Sequence, residues 1–182
     1  MTNPFREIGC FLLAGGRRNL SEDFQPKGEL TRLESGYRRY AQVFEKVTLV
    51  LKEDQARERY LNYPHVCDHN PNWNAVYGIQ AALNSAETDT VFIGSSEITD
   101  FPLDLLVTLV KNYQGEAFLG FSAPKGALRS CQPLFGLYNK KLAAKLHEAI
   151  EKDASELYRL LESEGRLIPL PQGTAPQALD LR

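Results

Sequence analysis

No apolar run in this 182-residue chain approaches the length needed to cross a bilayer. The N-terminus, M-T-N-P-F-R-E, has no basic segment leading into an apolar one and so does not read as a secretory signal. An excess of one charge is also missing. The 23 acidic residues face 21 basic ones, a near balance that argues against a broad nucleic-acid footprint. Cysteine is scarce: Cys10, Cys67 and Cys131 are odd in number and far apart. That argues against a disulfide framework and for reduced thiols of a cytoplasmic protein. Neither G-x-x-x-x-G-K-[ST] nor G-x-G-x-x-G occurs, so the common phosphate-loop signatures are absent. G-x-S-x-G is absent as well, which removes the nucleophile elbow of a serine hydrolase and leaves Gly94-Ser95-Ser96 as a strand-end turn.

Hydrophobic residues make up 43% of the chain, enough for a proper core. The most informative run is C-F-L-L-A-G-G, Cys10 to Gly16. Consecutive Phe11, Leu12 and Leu13 suit a strand buried on both faces. The Gly15-Gly16 pair then either makes an ordinary tight turn or brings the backbone close to a ligand, since no Cβ stands in the way. Strands are expected over 8–13, 46–51, 64–67, 90–94, 117–121, 133–138 and 167–170. The proline and glycine of 133–138 point to an edge strand or an irregular start. Helices are expected over 30–44, 75–86, 102–113, 139–151 and 154–164. Pro102 suits a first helical position, and Gly165 is a natural stop. The charged stretch 53–61 suits an exposed helix, and the tail from Pro171 is expected to pack loosely. This alternation predicts a three-layer α/β/α fold around a mostly parallel, Rossmann-like sheet. No repeat or linker divides the chain, so a single domain over 1–182 is expected.

L-A-G-G (Leu13 to Gly16), a polar loop, Lys27, and then Leu30, Leu33 and Gly36 resemble the opening of the Rossmann-like nucleotidyltransferases, and most of all the molybdenum cofactor guanylyltransferases. Asp68 followed by N-A-V-Y-G-I-Q-A-A-L resembles that family's aspartate and G-P-L-A-G-I-x-x-A-L. G-S-S-E-I-T-D-F-P-L-D-L-L falls where it has a strand, C-D-x-P and P-x-D-L-L. Q-P-L-F-G-L-Y resembles P-L-F-A-L-Y. The resemblance implies GMP transfer from GTP to molybdopterin with Mg²⁺. It assigns nucleotide binding to Leu13, Ala14, Gly15, Gly16, Arg17, Lys27 and Asp68, catalysis to Lys27 and Glu97, and the metal to Glu97.

The chain also departs from the pattern. Its loop R-R-N-L-S-E-D-F-Q-P-K is slightly longer, lacks R-M-G, and has Pro26 where an aspartate precedes the lysine. The metal-binding aspartate falls on Glu97, the proline after it on Thr99, and the asparagine expected after the second strand on Lys52. The first glycine of G-P-L-A-G falls on Asn74 and its proline on Ala75. These changes leave an alternative: a catalytically impaired relative that binds a nucleotide, a pterin or a partner protein.

The chemistry has bland counterparts. Backbone N–H groups from Ala14 to Arg17 suit a phosphate cradle, and Lys27 a point charge on a triphosphate. Equally, Arg17, Arg18, Lys27 and Glu97 are residue types that sit solvated on surfaces. Asp68 suits either the N1–H and N2–H₂ edge of guanine or a cap on the turn into Asn70-Pro71. His65, Cys67, Asp68 and His69 form one metal-like cluster, with no second His/Cys group nearby in sequence.

Overall fold

The computed structural model describes residues 4–14, 24, 28–55, 60–98, 100–124, 127, 130–153, 156–175 and 179. Its strands are β1 (Ile8–Leu13), β2 (Val47–Lys52), β3 (His65–Asp68), β4 (Thr90–Ser95), β5 (Phe118–Ser122), β6 (Cys131–Asn139) and β7 (Arg166–Ile168). They form one seven-stranded sheet in the order β3-β2-β1-β4-β6-β5-β7. The β1–β2, β2–β3, β1–β4 and β5–β7 pairs are parallel, and β6 runs antiparallel to both β4 and β5.

The helices are α1 (Arg32–Tyr40), α2 (Ala75–Ser85), α3 (Asp104–Asn112), α4 (Leu142–Lys152) and α5 (Glu156–Glu164). Strand side chains alternate between two cores, as the pleat requires. Cys10, Leu12, Leu49, Leu51 and Phe92 meet Leu33 and Tyr40 of α1 and Leu105 and Leu109 of α3. On the other face Phe11, Leu13, Val50, Val91 and Ile93 meet Val76, Ile79 and Leu83 of α2 and Leu146 and Leu161 of α4 and α5. The three-layer expectation is therefore met. Leu12, Leu13, Val50, Phe92 and Ile93 are all 4% exposed or less, as double-faced strands demand.

Four local expectations are corrected. Of the helix expected over 53–61, residues 56–59 lie outside the described residues, and the described part is not exposed helix: a 3₁₀ turn spans Glu53–Gln55. Gln55 turns inward to accept the Lys52 N–H at 2.8 Å, and Tyr60 is buried with its hydroxyl 3.1 Å from Thr31 Oγ1. The 133–138 strand is longer and lies inside the sheet rather than at its edge. Its irregular start is real, because the β5–β6 register shifts between Gly120 and Ser122. Pro133 falls at this shift and beyond the β4 pairing, where no ladder N–H is required. α3 begins at Asp104, with Pro102 in the preceding turn accepting the Leu105 N–H at 3.0 Å. The tail is not wholly loose: Leu179 is fully buried in the first core, and its carbonyl accepts from Gln132 Nε2 at 3.3 Å.

Candidate functional site

Since β1 to β4 are mutually parallel, their carboxyl ends reach one edge of the sheet. The chain turns from β1 towards β2 on one side, and β4 adds on the other, which makes the β1–β4 crevice a topological switch point. A cleft of about 110 Å³, open to solvent, lies there, lined among others by Ala14, Lys52, Asp68, Trp73, Glu97 and Leu134.

Each wall has a local cause. Leu13 ends β1 and Ala14 follows it, and both line the cleft. The Ala14 N–H is committed to the Val50 carbonyl at 3.1 Å. The expected cradle of amides from Ala14 to Arg17 therefore loses its first member. Gly15, Gly16, Arg17 and Lys27 lie outside the described residues.

Glu97 sits on the turn that closes β4. Ser96 donates to the Leu13 carbonyl at 2.9 Å, Ile98 N to the Ser95 carbonyl at 3.1 Å, and Glu97 N to Ser95 Oγ at 3.2 Å. Helix α1 braces the same segment, with the Tyr40 hydroxyl on the Ile98 carbonyl at 3.1 Å and Arg39 on the Phe101 carbonyl at 2.8 Å. With Ser96 and Ile98 buried on either side, Glu97 is left exposed at the cleft. A carboxylate so held can present hard oxygens to a cation or a polar ligand.

Asp68 ends β3 and is buried. Its Oδ1 accepts the Asn70 N–H at 2.9 Å, the turn cap anticipated from sequence, and its Oδ2 accepts from Lys52 Nζ at 2.7 Å. It also lines the cleft with Glu97, although 28 intervening residues separate the two. Helix α2 opens on the same cleft, with Asn74 Oδ1 accepting the Val76 N–H at 3.2 Å. Gly78 lets α2 lie close on β1: a Cβ there would fall 2.7 Å from Leu13 Cδ2.

The metal-like spacing around β3 does not assemble. His65 Nδ1 is 2.9 Å from the Tyr63 carbonyl, and His69 Nδ1 is 2.7 Å from Glu53 Oε1. Among the described residues no group of three His, Cys, Asp or Glu can hold a metal ion. Sequence reasoning passed over Lys52 and Trp73 as site residues. The available signal was a lysine closing a buried parallel strand, in line with β3's terminal aspartate.

Residues 11–167 match the MobA-like NTP transferase domain family. A protein of Aquifex aeolicus named "Probable molybdenum cofactor guanylyltransferase" is 27% identical over 160 residues, 86% of this chain and 76% of its own. A protein of the same name from Flavobacterium johnsoniae is 30% identical over 102 residues, 56% of this chain and 52% of its own. The crystal structure of molybdopterin-guanine dinucleotide biosynthesis protein A from Archaeoglobus fulgidus shares the fold, with a TM-score of 0.69 at 18% identity over 89% of this chain and 83% of that one.

Proposed function

We propose that this chain, which belongs to the MobA-like NTP transferase family, is a cytoplasmic nucleotidyltransferase that moves GMP from GTP to a molybdopterin-type acceptor. One observation carries the reading. Leu13, Ala14 and Asp68, which the family resemblance assigns to the nucleotide, and Glu97, which it assigns to catalysis and the metal, come from separate strand ends and line one cleft. The guanylyltransferase name of the Aquifex relative supports the choice of reaction. Three free cysteines suit a reducing compartment.

In this reaction a phosphate oxygen of the acceptor attacks the α-phosphorus of GTP. The new P–O bond forms as the bond to the β-phosphate bridge breaks, and pyrophosphate leaves. Few protein groups are required, because positioning and charge neutralisation dominate. We assign Asp68 to the guanine N1–H and N2–H₂ edge, through lone pairs that Lys52 and Asn70 leave open. Lys27 is assigned a point charge on the triphosphate. Glu97 is assigned Mg²⁺, and the donor set fits. Mg²⁺ keeps several waters and takes one or two carboxylates together with substrate phosphates, and the exposed Glu97 carboxylate on the cleft is of that donor type. When bound, the ion neutralises charge on the triphosphate. Glu97's own part is to hold it at a turn braced from β1 and α1.

The test is pyrophosphate release from GTP, ATP and CTP with a molybdopterin acceptor, with and without Mg²⁺. GTP is expected to turn over only with the metal. Lys27→Ala should weaken GTP binding, and Glu97→Ala should abolish metal-dependent turnover. Glu97→Asp should preserve or raise it by restoring the family's shorter carboxylate. Next to Lys27 the sequence departs from the family pattern, with Pro26 for the acidic residue and a longer loop, and a misplacement near 1 Å costs about a hundredfold in rate, so wild-type activity should be weak. GTP binding without pyrophosphate release would favour the accessory-protein alternative. Absence of any nucleotide binding would leave the fold alone standing.

A further inference from the structure

Lys52 stands where the resemblance expects an asparagine, and it does something an asparagine cannot. Its side chain is 12% exposed, and its ammonium carries three protons. One goes to Asp68 Oδ2 at 2.7 Å, one to the Asn70 carbonyl, and one to the Asn72 carbonyl at 2.8 Å. All three donors are thereby committed within the protein, and none remains for a nucleotide phosphate. The same ammonium lies 5.8 Å from the ring centroid of Trp73 and 5.9 Å from that of Tyr77, within cation–π range. Its backbone is fixed too, since the Lys52 N–H donates to the buried Gln55 side chain. A single cation thus ties the end of β2 to the turn running from Asp68 to Trp73. Trp73 is the chain's one tryptophan, and it lines the cleft half-buried, just ahead of the α2 cap.

We infer that Lys52 is a positioning residue that presents Asp68 and Trp73 as a preassembled wall for a planar heteroaromatic ring, with Asp68 accepting from the ring's edge and Trp73 stacking on its face. The inference rests on the nucleotidyltransferase reading, which supplies a base to be recognised. Its physical content is preorganisation. The irregular turn between β3 and α2 would otherwise lose freedom when ligand binds, and the three Lys52 bonds order it beforehand. Stacking on an aromatic ring tolerates any base, while Asp68 discriminates by the donors on its edge.

Because Trp73 is alone, its fluorescence reports this wall and nothing else. Wild type, Lys52→Met, Lys52→Arg and Trp73→Ala would be titrated with GTP and with inorganic tripolyphosphate, following Trp73 emission where present and heat of binding throughout. GTP is expected to quench Trp73, and tripolyphosphate to bind without quenching. Lys52→Met should shift Trp73 emission in the free protein and lower GTP affinity about tenfold, the scale of one lost base stack. Its tripolyphosphate affinity should stay within about twofold, because the phosphate contacts are made elsewhere. Lys52→Arg should restore part of the loss, since its charge still meets Asp68 but its planar fork does not match three acceptors gathered around an ammonium. Trp73→Ala should show the same base-selective loss, and with Lys52→Arg it carries the comparison if Lys52→Met fails to fold. The inference is overturned if the variants bind GTP like wild type, if GTP and tripolyphosphate affinities fall together as in a general loosening, or if tripolyphosphate quenches as GTP does. Wild type that binds no nucleotide overturns the nucleotidyltransferase reading and this one with it. Binding that is indifferent to Lys52 and Trp73 overturns this one alone.

Discussion

A thiol taken out of water resists ionisation, and two of the three cysteines are in that position. Burial pushes Cys10 well above its ordinary value and lifts Cys131 from 9.0 to about 11. Cys67, on edge strand β3, is half-buried. Since the thiolate is the reactive species, iodoacetamide at about pH 8 should modify Cys67 alone in the native protein and all three cysteines in denaturant, as read by mass spectrometry. Rapid native modification of Cys10 or Cys131 would show that the cores open readily. The sign for stability follows. Thiols with raised native values contribute fully below the ordinary 9.0, and the contribution is lost as pH climbs towards the native values, because the unfolded chain ionises first. At the site, the same scale explains why Asp68 served two readings at once. One carboxylate caps a turn with Oδ1, takes a lysine on Oδ2, and still faces the cleft.

Helix α5 hands over to β7 in a single residue, Gly165. Sequence logic expects a glycine there for its freedom to adopt positive φ. Among the described glycines only Gly28, Gly115 and Gly173 use that freedom. Gly165 is needed for close approach instead: a Cβ would stand 2.5 Å from the Leu161 carbonyl oxygen and 2.8 Å from that of Phe118. Both are backbone atoms held by α5 and β5, so neither can swing aside. Gly165→Ala should destabilise by about 1–3 kcal/mol, the range for overpacking. A thermal melt should show a fall of about 2–4 °C for each kcal/mol in a chain of this size. An unchanged melting temperature would mean that the α5–β7 junction yields more easily than its packing indicates. β7 has a second anchor at this junction, the Arg166–Glu116 pair at 2.5 Å, which ties the far edge of the sheet to the turn before β5.

The packing of the whole molecule draws in residues from far along the chain. Leu179 is fully buried in the core shared by Leu12, Leu33 and Phe92, although the surrounding tail is rich in proline and polar residues. Leu179→Ala should cost about 3 kcal/mol, as for a core leucine whose cavity only partly collapses. A tail that merely lay on the surface would shift the unfolding midpoint by under about 0.5 kcal/mol, so chemical denaturation separates the two cases. Both faces of the sheet are covered by helices, and among the described residues no helix is long and apolar enough to cross a membrane.

Local pattern was enough for much of this. Runs such as F-L-L in β1 and V-F-I in β4 read directly as strands buried on both faces, because side-chain alternation and apolar content are properties of a few consecutive residues. The order of strands and helices implied a parallel sheet, and a parallel sheet gathers its strand ends at one edge. That is why Asp68 and Glu97 meet in one cleft. What the local pattern left open depended on partners distant in the chain. β6 is interior because β4 and β5 flank it in antiparallel fashion, which neither its proline nor its glycine foretells. Tyr60 and Leu179 are buried because Thr31 and the first core receive them. Lys52 became an internal strut only once β3 lay beside β2 and brought Asp68 and two loop carbonyls within reach of its ammonium. Hydrophobic period and turn chemistry act over neighbouring residues and are written in the sequence. The partners of a buried charge, and the space that forbids a Cβ, exist only when distant segments have packed.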